Sequence, residues 1–224
     1  EDSAAAQVYF DIKTAYDAAQ QLDKNSKDRY DVMKTINAAC NMIAFQDKDQ
    51  VVFHQSLERA HQYLEASVYG RTDKTGVTAY AVGHTHLDVA WLWTVEDTRR
   101  KAARTFANTV ELMKRYQNYT FTMSQPAVYQ FVEEDFPALF SQAAQLIADK
   151  RWEPEGAMWI EPDCNLPSGE SFVRQLMFGK KYLQDKFGYE SKVLWLPDTF
   201  GFSAALPQIL KKAGVPYFAT TKLS

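Results

Sequence analysis

The chain has 224 residues and a net charge of −3, from 25 basic and 28 acidic side chains that alternate along it without forming blocks. That balance argues against a nucleic-acid partner and against attachment to an anionic membrane, and no apolar run approaches the ~18 residues of a membrane span. The length allows one large domain or one and a half, burying roughly 70 % of the extended-chain surface.

From Ala4 to about Tyr69 apolar residues recur at three- and four-residue spacing and predict three helices. Val8-Ile12-Ala15-Ala19-Leu22 forms the first stripe, Tyr30-Met33-Ile36-Cys40-Ile43 the second and Phe53-Leu57-Ala60-Leu64-Val68 the third, with Asn25 to Asp28 and Gln46 to Asp49 as breaks. His54, Glu58 and His61 share one side of the third helix. They read as a polar flank beside the apolar stripe in preference to a metal stripe. Cys40 and Cys164 are far apart and give neither a disulfide framework nor a Cys-x-x-Cys site, so a reducing, cytoplasmic setting is expected. The opening Glu1-Asp2-Ser3 carries no signal-peptide pattern.

The stretch Gly70 to Gly76 is polar and turn-forming, and the pattern changes there. The division expected is a helical segment over 1–72 and an α/β part over 73–224. Within the second part the sequence predicts strands at Val77 to Gly83, Tyr119 to Met123, Gly156 to Ile160, Lys192 to Leu196 and Pro216 to Thr220. Between them it predicts helices at Val95 to Tyr116, Ala127 to Lys150 with a break at Pro137, Glu170 to Phe187 behind the N-cap candidate Ser168, and Ala204 to Ala213. The fold class expected is α/β: a parallel sheet or partial β/α barrel with alternating helices, preceded by a small all-helical segment.

Directly after the first of these strands comes Gly83-His84-Thr85-His86-Leu87-Asp88-Val89-Ala90-Trp91, with two of the four histidines in the chain. Alternation in an extended segment turns His84, His86 and Asp88 the same way, and imidazole with carboxylate suits zinc. Polar clusters also follow the other strands: Ser124-Gln125-Pro126, Glu161-Pro162-Asp163-Cys164-Asn165 and Pro197-Asp198-Thr199-Phe200-Gly201. In parallel sheets chemistry gathers beyond the carboxyl ends of strands, so one shared site is expected.

Three stretches in order, Gly83 to Trp93, Glu161 to Ser171 and Trp195 to Ser203, resemble glycoside hydrolase family 38, the α-mannosidases, within the branch that includes cytosolic and many bacterial enzymes. The resemblance runs from Val77 to Ser224. It implies a retaining, zinc-dependent hydrolysis of terminal non-reducing α-D-mannosides through a covalent mannosyl-aspartate. By position it makes His86 and Asp88 zinc ligands, Asp198 both a zinc ligand and the nucleophile, and Trp91 the aromatic seat of the mannose ring. It leaves His84 beside the metal without ligating it. The family's acid/base carboxyl and a further histidine ligand come from downstream, so the chain resembles an N-terminal part of the catalytic domain, inactive alone. Glu161 and Asp163, the other strand-end carboxylates, keep supporting or sugar-binding roles. The partner expected is a mannose-containing oligosaccharide or glycoside, with a homo-oligomer open for the full-length protein. The alternatives are a zinc-dependent polysaccharide deacetylase and a sugar-binding module without turnover.

Overall fold

The computed structural model describes residues 2–70 and 79–223. The chain divides into two units, Glu1–Thr78 and Ala79–Ser224. The expected junction at 72/73 and most of the turn-forming stretch from Gly70 to Gly76 lie outside the described residues. In the first unit the three stripes form α1 (Ser3–Gln21), α2 (Lys27–Met42) and α3 (Gln50–Leu64), followed by a π-helical turn at Glu65–Tyr69. Asp2, Ser26 and Asp49 cap their N-termini by accepting backbone N–H bonds. Val8, Ile43, Leu57 and Ala60 form the core between them. His61 Nδ1 lies 2.7 Å from the buried Asp11 carboxylate and His54 Nε2 lies 3.2 Å from Asp2. The two histidines therefore face separate partners.

The second unit runs β1 (Gly83–His84), α4 (Val95–Arg115), β2 (Phe121–Thr122), α5 (Pro126–Asp135), α6 (Pro137–Ala148), β3 (Trp152–Glu153), α7 (Gly169–Phe187), β4 (Val193–Trp195), α8 (Leu206–Lys212) and β5 (Tyr217–Ala219). β1, β2 and β3 pair in parallel in that order, as do β4 and β5, and a parallel bridge from Gly156 to Leu194 joins the two sets. Neighbours in space are thus neighbours in sequence, each pair separated by helix. That is the winding of a β/α barrel wall; a doubly wound sheet reverses its order at a switch point.

Local signals set most boundaries. Thr94 and Asp97 close a capping box on α4, whose first turn carries Glu96 and Asp97 and whose last carries Lys114 and Arg115. Arg151 donates from Nη2 to the carbonyls of Met113, Tyr116 and Tyr119 at 3.0, 2.8 and 3.1 Å, satisfying groups at the end of α4. Pro137 ends α5 and opens α6. In the main core Phe106 meets Tyr129, and Phe121 meets Trp152, edge to face, while Phe106 lies tilted against Trp152. Its buried polar atoms are satisfied: Trp152 Nε1 donates to Tyr129 Oη at 2.8 Å, which donates to Met123 O at 2.8 Å. A second core of Met158, Phe172, Leu176, Leu194, Leu196 and Leu210 joins α7, β4 and α8.

Two strands differ from the sequence reading. The first is confined to Gly83–His84, because β2 begins only at Phe121 and offers residues 79–82 no ladder partner; Val77 and Thr78 lie outside the described residues. The third falls at Trp152–Glu153, ahead of the expected Gly156 to Ile160. Gly156 and Ala157 have φ of +145° and +62°, which breaks the extended backbone. The segment after them lies on α7, where Trp159 N donates to Gln175 O and Ile160 N to Gln175 Oε1, both at 2.9 Å.

Cys40 and Cys164 are both free, and burial pushes the Cys164 thiol up to about 11. A raised pKa removes thiolate at working pH. A thiol reagent at pH 8 is therefore expected to leave Cys164 unmodified in the native protein and to label it once denaturant is added. Mass spectrometry of the digested protein checks this, and native labelling of Cys164 would contradict its burial. No helix among the described residues is long and apolar enough to cross a membrane.

Candidate functional site

Leu87 is buried in the main core, while the residues on either side of it, His86 and Asp88, are half-buried. α4 fixes the far end of this loop. Thr98 Oγ1 donates to Asp88 O at 3.1 Å and accepts from Trp93 Nε1 at 2.9 Å, while Lys101 Nζ lies 4.0 Å over the Trp93 ring. Trp91 packs edge to face on Trp93 and leaves 66 % of its surface exposed, an anchored aromatic face open to solvent.

Asp198 arrives from the other set of strands, two residues after Leu196 N bonds Ala219 O. Its turn is tied on both sides. Thr221 Oγ1 donates to Pro197 O at 2.6 Å, Thr199 Oγ1 donates to Pro162 O at 3.3 Å, and Asn165 Nδ2 donates to Phe200 O at 2.9 Å. Gly201, at φ +100°, leaves room for Asn165, whose Nδ2 would lie 2.7 Å from any added Cβ. The Asp198 carboxylate is shared between neighbours: Oδ1 lies 2.8 Å from Lys222 Nζ and Oδ2 lies 3.7 Å from His86 Nε2. Lys222, itself 4.6 Å over the Phe200 ring, holds the Asp198 carboxyl below the usual carboxylate range.

His86, Asp88 and Asp198 each present one donor atom, all within 4.8 Å of one another. A tetrahedral metal with donors at ~2.0–2.1 Å spaces them about 3.3 Å apart. His86 Nε2 lies 3.0 Å from Asp88 Oδ1 and 3.7 Å from Asp198 Oδ2, on either side of that value. One imidazole and two carboxylates therefore fit a divalent ion in both spacing and charge. The other ring nitrogen, Nδ1, lies 2.6 Å from Glu161 Oε2. Neither atom makes an aligned hydrogen bond, so this is a close charge contact and not a well-directed bond. Glu161, with Asp88 behind it, raises the His86 imidazole to about 9. Ligation needs the neutral ring, so proton and metal compete for Nε2.

His84 points elsewhere than the sequence alternation suggests. β1 ends at His84, and its Nδ1 lies 3.1 Å from Thr122 O while Nε2 accepts from Trp195 Nε1 at 3.1 Å. With both nitrogens engaged and burial lowering its pKa, His84 is a neutral ring that joins β1 to β2 and β4.

Residues 76–224 match the N-terminal domain of the glycosyl hydrolases of family 38. The chain belongs to glycosyl hydrolase family 38. This family 38 chain is 35 % identical to alpha-mannosidase G of Dictyostelium discoideum over 98 % of its own length and 20 % of that protein. It is 42 % identical to human alpha-mannosidase 2C1 over 66 % of its length and 14 % of the relative. It thus spans about a fifth or less of the curated relatives named here. An alpha-mannosidase from Enterococcus faecalis V583 shares its fold, with a TM-score of 0.57 and 23 % identity over 62 % of this chain and 16 % of that one.

The structure of this family 38 chain thus brings His86, Asp88 and Asp198 together, sets Trp91 on the same loop as the first two, and turns His84 away. Ser124 and Gln125, one of the strand-end clusters expected at a shared site, and Trp195, which opens the third matched stretch, do help to build it; Lys222 was not singled out by sequence reasoning. Gln125, buried at φ +66°, donates from Nε2 to Leu87 O at 2.7 Å and accepts at Oε1 from Glu161 N at 3.0 Å. Its sequence signal was its place between a strand and Pro126. Lys222 had none.

Proposed function

We propose that the protein to which this chain contributes is a zinc-dependent, retaining α-mannosidase that hydrolyses terminal non-reducing α-D-mannosides, working in a cytoplasmic setting. The convergence of His86, Asp88 and Asp198 at the strand ends of a family 38 fold carries this reading. Trp91 offers a fixed apolar face against which a pyranose ring can lie. Asp198, kept anionic by Lys222, attacks the anomeric carbon as the glycosidic bond breaks and forms the covalent ester, which water then hydrolyses. Zinc, when bound, supplies charge neutralisation and a grip on the sugar hydroxyls. The leaving oxygen takes a proton from a second carboxyl group roughly 5–5.5 Å from the nucleophile. Asp163 is unsuited to that task. Its Oδ1 accepts from the backbone N–H of Leu166 and Asn165, both at 2.8 Å, which holds it below the usual carboxylate range and so without a proton to give at neutral pH.

The complete protein is expected to release nitrophenol from nitrophenyl α-D-mannoside, to lose that activity to a chelator and to regain it with zinc. Acetate release from an acetylated polysaccharide, with no nitrophenol, would replace this reading by a deacetylase. Stabilisation by mannose without hydrolysis would leave a sugar-binding module.

A further inference from the structure

Only 4 % of the Glu161 side chain is exposed, and the contact of its Oε2 with His86 is the only ion-pair contact it makes among the described residues. Three elements fix it. Ser124 Oγ, after β2, donates to Oε1; Gln125 Oε1 accepts from its backbone N–H; and Ile160, the residue before it, is bonded to Gln175 of α7. Oε2 then lies 2.6 Å from His86 Nδ1 and has no aligned hydrogen-bond partner. Because the two nitrogens of an imidazole sit on opposite edges, a carboxylate that faces Nδ1 turns Nε2 toward Asp88 and Asp198.

We propose that Glu161 is a positioning residue for the metal centre, holding His86 with Nε2 toward the ion and strengthening that nitrogen as a donor. The proposal rests on the metal-site reading above and deepens it. It also removes Glu161 from the candidate proton donors, since its two oxygens are turned toward His86 and Ser124. Carboxylates placed behind ligating histidines fix the ring and raise its basicity, and their loss typically weakens metal binding 10–100-fold.

The test is chelator competition for zinc on the complete protein, with wild type, His86→Ala and Glu161→Gln side by side. The wild type is expected to bind tightly and His86→Ala to lose binding almost wholly. Glu161→Gln, the same shape without the charge, should weaken binding by about 10–100-fold while retaining much of kcat once zinc is saturating. Zinc binding that is absent in the wild type, or unchanged in His86→Ala, overturns the metal-site reading itself. Binding that is normal in the wild type, lost in His86→Ala and unchanged in Glu161→Gln overturns only the role of Glu161. A collapse of kcat at saturating zinc in Glu161→Gln, with affinity intact, would likewise overturn it and return Glu161 to the proton-transfer machinery. If Glu161→Gln fails to fold, Ser124→Ala decides. Freeing Oε1 loosens the carboxylate and is expected to weaken zinc severalfold, and an unchanged affinity counts against the proposal.

Discussion

Asp198→Asn in the complete enzyme is expected to lower turnover of α-mannosides by about 10⁴-fold or more, the scale seen when a nucleophile is removed from a working site. The substitution keeps the size of the side chain and removes three things together. An amide does not attack an anomeric carbon, its nitrogen is no metal donor, and it makes no ion pair with Lys222, now 2.8 Å from Oδ1. Asp163→Asn is expected to be far milder, because the Asn oxygen still accepts from the Asn165 and Leu166 amides. A mannosyl fluoride whose extra fluorine slows deglycosylation traps the covalent ester for peptide mapping. The label should fall on the peptide containing Trp195 to Ser203 and vanish in Asp198→Asn. Labelling of any other carboxylate would remove Asp198 from its role.

Gly179→Ala is expected to destabilise the catalytic domain by about 2 kcal/mol or more. In the middle of an ordinary helix the same change stabilises by about 1 kcal/mol, so the sign alone is diagnostic. Gly179 lies within α7, and a Cβ there would stand 2.2 Å from Ala157 O, 2.7 Å from Met158 C and 2.8 Å from Trp159 N. These are backbone atoms, which no rotamer change can move aside. The glycine lets residues 157–160 approach the helix closely enough for Trp159 N to reach Gln175 O, one turn earlier. The same segment leads directly into Glu161, so the variant is also expected to disturb the contact with His86. Urea denaturation of the complete protein gives the free energy. A gain in stability would mean that the close approach of loop and helix is wrong.

What the sequence made legible were features written locally. Apolar spacing gave the three helices of the first unit. The N-cap candidate Ser168, the charged ends of α4 and the break at Pro137 placed limits to within a residue or two, while the Thr94 capping box emerged from the structure. The third strand was misplaced because the backbone at Gly156 and Ala157 is set by packing on α7, a helix that begins 12 residues beyond Ala157. Alternation likewise put His84 in one row with His86 and Asp88, and failed because it assumes a strand that continues past His84; only tertiary neighbours, Thr122 and Trp195, decide where that ring goes. The meeting of His86 and Asp88 with Asp198, more than 100 residues later, was legible only through motif resemblance together with the rule that parallel strands gather their ends. The pairing of Asp198 with Lys222 had no local signature, for a lone lysine near a threonine pair resembles any solvated surface.

The glutamine between β2 and α5 has a consequence for anyone wishing to recombine relatives of this protein. Gln125 uses its amide hydrogen on the loop that carries His86 and Asp88, and its amide oxygen on the loop that begins at Glu161. No carboxylate or ammonium can serve both, since one only accepts and the other only donates at neutral pH. Both bonds end on main-chain atoms, so the tie depends on an amide at position 125 and on the path of the two loops, not on their side chains. A loop imported from a relative keeps the tie wherever that path and the amide are kept, whereas Gln125→Glu or Gln125→Lys costs one of the two bonds.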